Sequence, residues 1–293
     1  MNKVYIGDNL QIMKREIVDN SVDLIYIDPP FNTRKSQSIA PIKVKQSENG
    51  DRKGFLGKTY EVIKTSPSKW YTDNYGERDQ FEEFIELRLR EAHRVLAEHG
   101  MLYFHIDYRE VHYCRLLLDK IFGQDCYLNE IIWAYDYGGR SKTRWPAKHD
   151  NILVYSKSSD PNVTHFDKHL AYKIGEKFEA PNGAGKKPIG LTDVWWHTIV
   201  PTNGKERTGY PTQKPLGIIN RIIETSSKPG DLVLDFFAGS GTTGESCLKL
   251  GRKFILMDNN PQAELVMRER FKPYGEIVEF IHWNLMAEKA GNL

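Results

Sequence analysis

Two stretches of the chain carry residue types that could do chemistry. The first is Asp28-Pro29-Pro30-Phe31, which closes the apolar, β-prone run Val22-Asp23-Leu24-Ile25-Tyr26-Ile27. Such a run reads as a buried strand of a parallel sheet. Neither proline has an N–H to give to a ladder, so pairing must stop at Asp28 and the backbone must turn out past the strand's carboxyl end. Open α/β sheets bind ligands at that end. A carboxylate, stiff backbone carbonyls and an aromatic ring then stand together as hydrogen-bond acceptors beside a stacking surface. A strand-end turn with an aspartate cap would use the same residues for structure alone.

The second stretch is Gly239-Ser240-Gly241-Thr242-Thr243-Gly244, a G-x-G-x-x-G sequence between a strand-like and a helix-like segment. Asp258 ends the next strand-like segment, at the offset of a ribose-binding carboxylate. Glycines allow close backbone approach, and the amino end of the helix favours an anionic group. These features point to an adenosine-containing cofactor. A nicotinamide dinucleotide and S-adenosylmethionine both present a ribose to such an acid, so the motif alone leaves both open. No Gly-Lys-Ser/Thr follows, which speaks against a P-loop.

The elements that must hold these residues alternate along the chain. A strand over residues 3–7 precedes Asp8, which is placed to cap a helix carrying Leu10, Ile12 and Met13. After the strand over 23–28, a helix over 79–96 repeats Phe81, Phe84, Ile85, Leu87, Leu89, Ala92, Val95 and Leu96 at helical spacing, and Gly100 follows its stop. A strand over 101–106 and a helix over 109–122 come next, then strand-like pieces over 131–135 and 151–156. From residue 216 the alternation returns: helix 216–226, strand 232–237, helix 242–250, strand 253–258, helix 261–271 and an edge strand over 277–281. This order predicts an α/β fold with a doubly wound, mostly parallel sheet. Residues 32–77 show no periodicity and carry Lys35, Lys43, Lys45, Arg52, Lys53 and Lys58. They predict a solvated insertion or a basic flap that orders on a polyanion.

With 293 residues and 40% hydrophobic content, the chain can bury a sizeable core. Its net charge of +2 hides an asymmetry: residues 131–230 hold 15 basic residues against 9 acidic ones. Trp133, Trp145, Trp195 and Trp196 lie there among Arg140, Lys142, Arg144, Lys148, Lys186 and Lys187, a mixture suited to phosphate contact and base stacking. About half of these tryptophans are expected to fill a small core instead. Cys114, Cys126 and Cys247 form no Cys-x-x-Cys pair, so neither a disulfide framework nor a zinc site is expected. His105, His149 and His197 are isolated and read as satisfied polar contacts, not metal ligands. Residues 1–5 lack the apolar core of a signal peptide, and no run of about 18 apolar residues occurs. The expectation is a soluble, cytoplasmic protein without metal or membrane segment.

Asp235-Phe236-Phe237-Ala238-Gly239-Ser240-Gly241-Thr242 resembles the cofactor loop of amino-group DNA methyltransferases. Asp28-Pro29-Pro30-Phe31 resembles their catalytic D-P-P-Y/F tetrapeptide, and Gln213-Lys214-Pro215 the segment before their cofactor loop. The order of these motifs, with Gly7-Asp8 ahead of the first, resembles the β group of that family over about residues 3–135 and 208–285. The resemblance implies a class I methyltransferase-like sheet in permuted order. It divides the chain into a catalytic half (1–130, with the basic loop 32–77), a target-recognition region (131–207) and a cofactor half (208–293). It implies S-adenosyl-L-methionine as cofactor, double-stranded DNA as partner, a flipped base, a restriction-modification setting on nucleoid DNA, and a homodimer, which is frequent in the group.

By the same resemblance, Asp28 and the Pro29 carbonyl accept the hydrogens of the target amine, Pro30 stiffens the turn and Phe31 stacks on the base. Phe237, Gly239, Gly241 and Thr242, with Ser240 and Thr243 between and beside them, meet the methionine side of the cofactor. Asp258 takes the ribose and Asp8 the adenine. Asp235 belongs to the pattern, but its expected role is to order the loop. Lys214 either pairs with the methionine carboxylate or contacts DNA from the surface. An aspartate-led tetrapeptide favours adenine N6 over cytosine N4, and Phe31 in place of tyrosine loosens that preference. A nicotinamide-dependent oxidoreductase would explain the glycine loop and Asp258, but not the tetrapeptide or the basic middle. A non-enzymatic nucleic-acid-binding module would explain only that middle.

Overall fold

The computed structural model describes residues 2–32, 78–137, 139, 141–175, 192–201 and 203–283, together with five strand segments between residues 35 and 73. The elements run β1 (Asn2–Ile6), α1 (Asn9–Glu16), β2 (Val22–Ile27), β3 (Lys35–Ile39), β4 (Ile42–Gln46), β5 (Arg52–Lys53), β6 (Thr59–Lys64), β7 (Ser68–Asp73), α2 (Arg78–Val95), β8 (Leu96–Ile106), α3 (Val111–Phe122), β9 (Tyr127–Ala134), β10 (His149–Ser156), α4 (Lys168–Gly175), β11 (Val194–Trp196), α5 (Leu216–Ser226), β12 (Leu232–Asp235), α6 (Thr242–Leu250), β13 (Lys253–Asp258), α7 (Pro261–Phe271) and β14 (Val278–His282).

Nine strands form one sheet in the order β11-β9-β10-β8-β2-β12-β13-β1-β14. Only β10 runs against its neighbours. The expected doubly wound, mostly parallel sheet is therefore present, and its two key strands lie side by side. β12 pairs in parallel with β2 through Val233–Leu24 and Leu234–Ile25. From β12 the chain winds through α6 to β13 on one side, and from β2 through α2 to β8 on the other. Adjacent strands whose connections leave in opposite directions open a crevice at their carboxyl ends.

Burial follows from that layout. Ile25 and Ile27 of β2 pack with Ile12, Met13, Phe81, Ile85, Leu89 and Leu118 from α1, α2 and α3. Leu24 and Tyr26 point the other way, among Ile218, Ile222, Cys247, Met267 and Phe271 from α5, α6 and α7. A strand covered on both faces must be apolar at successive positions, which is why 22–27 lacks strand alternation. Among the described residues, no helix is long and apolar enough to cross a membrane.

Three features were not anticipated. The stretch 32–77, read as aperiodic, contains β3 paired with β7 and a small β4-β6-β5 sheet, all antiparallel and outside the main sheet. Ile42-Lys43-Val44-Lys45 does alternate, but its partner begins thirteen residues later, and such long-range pairing has no local signature. Lys35, Lys43, Lys45, Arg52 and Lys53 fall on these strands, whereas Lys58 lies outside the described residues, as do Arg140, Lys186 and Lys187. Second, β9, β10 and β11, from the middle of the chain, extend the main sheet. Third, the short elements α4 and β11 carry too few residues for a periodic pattern to be seen. Trp133 and Trp195 are 2% and 5% exposed, while Trp145 and Trp196 are 95% and 51% exposed, so the tryptophans divide evenly between core and surface.

Candidate active site

The crevice beyond β2 and β12 is a cleft of about 420 Å³, within the usual range of ligand pockets. Asp28, Pro29, Pro30 and Phe31 line one side, and Phe237, Gly239, Ser240, Thr242 and Thr243 line the other. Asp8, Asp235, Asp258 and Lys214 contribute as well. Gly241 alone of the anticipated residues is not on the wall.

The cofactor-loop side is held by carboxylates from two neighbouring strands. Asp235, at the end of β12, accepts from the Phe237 N–H at 3.0 Å and from the Thr243 hydroxyl at 2.6 Å. Asp258, at the end of β13, accepts from the Gly239 N–H and from the Asn260 N–H, both at 2.8 Å. Burial pushes the Asp235 carboxyl up to about 7, against those hydrogen bonds and with help from the charges of Asp28 and Asp258. Burial also raises Asp258, offset by backbone N–H groups of Asn260, Gly239 and Asn259. Asp235 thus joins the two ends of the loop, Phe237 and Thr243, while also lining the cleft.

The glycines divide their work. Gly239 has φ +50°, and a Cβ there would stand 3.2 Å from the Tyr210 ring on the cleft wall. Gly241 has φ +74°, and its Cβ would come 2.7 Å from Met267 Cγ, so this glycine lets α7 pack against the loop and does not face the cleft. The Thr242 hydroxyl donates to the Lys214 carbonyl at 3.1 Å and accepts from Arg270 Nη1 at 2.6 Å. Arg270, buried at the end of α7, also reaches the Glu206 carbonyl at 3.3 Å. It thereby ties the segment that carries Lys214 to the glycine loop. No side chain caps α6 at Gly241, so the amides of its first turn can serve an anion.

Asp8 caps α1 through the Gln11 N–H at 3.0 Å and still lines the cleft. Behind it, Arg88 reaches Asn9 Oδ1 at 2.7 Å and Asp8 Oδ2 at 3.4 Å and lies 3.7 Å from the centre of the Phe84 ring. Arg88, Asn9 and Tyr210 line the cleft without having been singled out from the sequence, and Phe84, read only as part of a helix's apolar face, lines it too. For Arg88 a signal existed: an arginine between Ile85 and Leu89, on the apolar face of α2.

The tetrapeptide side is less saturated. Lys214 Nζ is 2.5 Å from Asp28 Oδ2 and 5.0 Å from the centre of the Phe31 ring. Its side chain is only 12% exposed, so it is not a surface lysine. The second carboxylate oxygen, Asp28 Oδ1, is buried and has no hydrogen-bond partner. Burying such an acceptor without a partner costs about 1–3 kcal/mol, so its persistence at the mouth of a cleft marks a place for an incoming N–H. Phe31 packs on His105 with ring centres 5.9 Å apart. His197 Nδ1 meets the Thr198 carbonyl at 2.7 Å. Among the described residues, no group of three or more His, Cys, Asp or Glu could hold a metal ion.

Residues 22–269 match the family described as DNA methylase, whose members modify amino groups at N6 or N4. The chain belongs to the DNA methylase family. The methylase is 30% identical to the type II methyltransferase M.HpaI of Haemophilus parainfluenzae, over 92% of this chain and 74% of that protein. It is 29% identical to the DNA adenine methyltransferase YhdJ of Escherichia coli K12, over 87% of this chain and 78% of that protein. Its fold is similar to that of M1.HpyAVI solved with S-adenosylmethionine (TM-score 0.57, 19% identity, 92% of this chain and 99% of that one). The cytosine-N4-specific PvuII DNA methyltransferase is also similar in fold (TM-score 0.59, 17% identity, 96% and 95% of the two chains). The methylase thus has a class I methyltransferase-like sheet, with the tetrapeptide strand ahead of the cofactor-loop strand in sequence and beside it in space.

Proposed function

We propose that this methylase transfers a methyl group from S-adenosylmethionine to N6 of an adenine flipped out of double-stranded DNA. The observation that carries the proposal is the unpartnered Asp28 Oδ1 in the same cleft as the Gly239 loop. An exocyclic amine is a poor nucleophile because its lone pair is delocalised into the ring. Asp28 Oδ1 and the Pro29 carbonyl accept its two hydrogens, which draws nitrogen toward tetrahedral geometry and returns the lone pair. Phe31, backed by His105, stacks on the base. Asp258 takes the ribose hydroxyls, Asp8 the adenine edge, and the α6 amides with the loop around Gly239 the methionine end.

The residues present fit such a cofactor. Gly239 leaves open a wall that a Cβ would fill, and Asp8 and Asp258 line the cleft. S-adenosylmethionine supplies an already activated methyl group, so the protein contributes alignment and electrostatics.

The DNA-facing rim follows from topology. β9 and β11 run parallel to β8, so the residues after them leave the sheet on the same edge as Asp28. Tyr137, Trp145 and Trp196 are exposed there near Lys142, Arg144 and Lys148, a surface for phosphates and unstacked bases. Adenine is favoured by the aspartate at the head of the tetrapeptide. Such an enzyme would work in the cytoplasm, on nucleoid DNA.

Incubation with methyl-labelled S-adenosylmethionine and unmethylated genomic DNA, followed by nucleoside analysis, tests the reading. N6-methyldeoxyadenosine is the expected product. N4-methyldeoxycytidine would reassign the base, and absence of label from DNA would overturn the proposal.

A further inference from the structure

Behind the tetrapeptide lies a chain of buried polar groups whose hydrogen bonds the function above does not use. Asp150, the second residue of β10, accepts from the Tyr135 hydroxyl at 3.0 Å and faces His105 Nε2 at 3.1 Å. His105 Nδ1 in turn faces the Tyr26 hydroxyl at 2.9 Å. His105 is fully buried, and Tyr26 is on the wall of the cleft. For a neutral imidazole beside an ionised Asp150 the donor directions follow. An ionised carboxylate only accepts, so His105 carries its proton on Nε2, its Nδ1 lone pair receives the Tyr26 O–H, and the Tyr26 oxygen keeps its own lone pairs. Burial disfavours the charged form of Asp150, but the hydrogen bond from His105, then the charge of Lys214 and the hydrogen bond from Tyr135, hold its carboxyl below the usual range.

Three elements outside the tetrapeptide converge here: β8 gives His105, β10 gives Asp150, and Tyr135 follows β9. The charged groups that bear on this chain from around it are Asp28, Asp235 and Lys214, with Asp107 and Arg109 beside Tyr135. A hydroxyl, an imidazole and a carboxylate in series form the arrangement by which enzymes take a proton at a hydroxyl and stabilise it on a ring.

Methylation of an amine needs such a sink. As the amine nitrogen forms its bond to the methyl carbon, the electron pair of the broken carbon–sulfur bond stays on sulfur, and nitrogen gains a positive charge. One N–H proton must then leave. Asp28 already holds Lys214 on Oδ2, and a carboxylate is ordinarily a weaker base than imidazole by roughly 2.5 pKa units.

We propose that Tyr26 and His105, oriented by Asp150, receive the proton released by the methylated amine. The proton passes to the Tyr26 oxygen while the Tyr26 proton passes to His105 Nδ1. The products are a neutral secondary amine and an imidazolium facing the Asp150 carboxylate, which returns its proton to solvent after the product leaves. Tyr26 is the catalytic residue of this step, and His105 and Asp150 are positioning residues.

This inference rests on methylation of an exocyclic amine, and the test separates the two. Tyr26→Phe keeps the ring and removes the relay. Asp150→Asn keeps the shape and reverses the His105 tautomer, and its nitrogen-15 shifts read that change without any turnover. Single-turnover methyl transfer on DNA is followed between about pH 5.5 and 8.5. Both variants are expected to transfer methyl about a hundredfold more slowly. They should lose the acid limb of the wild-type profile and bind S-adenosylmethionine within about twofold of wild type. Wild-type rate and pH profile in folded Tyr26→Phe would overturn the relay, leaving amine methylation intact. A wild-type enzyme that labels no amine would instead remove the parent reading.

Discussion

The two walls of the cleft differ in how completely their polar groups are used. On the cofactor side, both oxygens of Asp235 and of Asp258 accept hydrogen bonds, and the Thr242 hydroxyl both donates and accepts. On the catalytic side, Asp28 has one oxygen on Lys214 and the other on nothing. A loop that must hold a cofactor the same way in every turnover is best fixed by hydrogen bonds to its own backbone, with the α6 amides and the remaining lone pairs of Asp258 left for the ligand. A group that must seize a transient amine has to keep capacity in reserve. The protein therefore spends its stability on one wall and its strain on the other.

Substitutions at the two walls should break differently. The largest effect is expected from Asp28→Ala: methyl transfer falls about a thousandfold or more, while cofactor affinity by calorimetry stays near wild type. Activity within threefold of wild type would remove Asp28 from the mechanism. On the opposite wall, Arg270→Met removes the guanidinium that joins Thr242 to the Glu206 segment. It should weaken cofactor binding about tenfold and cost about 3 kcal/mol in urea unfolding, a loss of order and not of chemistry. Trp145→Ala touches neither wall. With the ring almost wholly exposed, DNA affinity by anisotropy should drop about tenfold, with stability and cofactor affinity unchanged.

The smallest effect concerns pH. Asp235 titrates near 7 in the fold and near 4 in an unfolded chain, so the fold favours its protonated form. Its contribution to stability is complete below about pH 4 and is lost as the pH rises through about 7. Asp235→Asn should flatten this dependence. Between about pH 4 and 8, the urea unfolding free energy of the wild type should fall relative to that of the variant by on the order of 1 kcal/mol or more. A parallel pair of curves would mean that Thr243 and Phe237 fully compensate the burial of the carboxylate.

Much of the parallel sheet was legible because its strands and helices are each dominated by one local pattern. α7 spans the predicted residues 261–271, and α5 the predicted 216–226. Boundaries slipped at β8, which starts at Leu96 with no turn after α2 and runs through the exposed Glu98 and His99 before its buried stretch. The strands within 35–73 were missed because partners far apart in sequence define them. The core roles of Trp133 and Trp195 were anticipated as a proportion, but which two of the four could not be read from composition.

What the sequence by itself determined is local: where a strand must end at Asp28, that a glycine turn comes after the strand of Asp235, and that an acid ends the next strand. These rest on proline's missing N–H and on the backbone freedom of glycine, which travel with the residues. Only the tertiary structure decided which side chains share an atom's breadth of space. It gave Lys214 to Asp28, turned Gly241 toward α7, and linked Tyr26, His105 and Asp150 from three strands that the sequence keeps up to 124 positions apart. Such contacts are set by sheet order and register, and no short stretch of chain contains them.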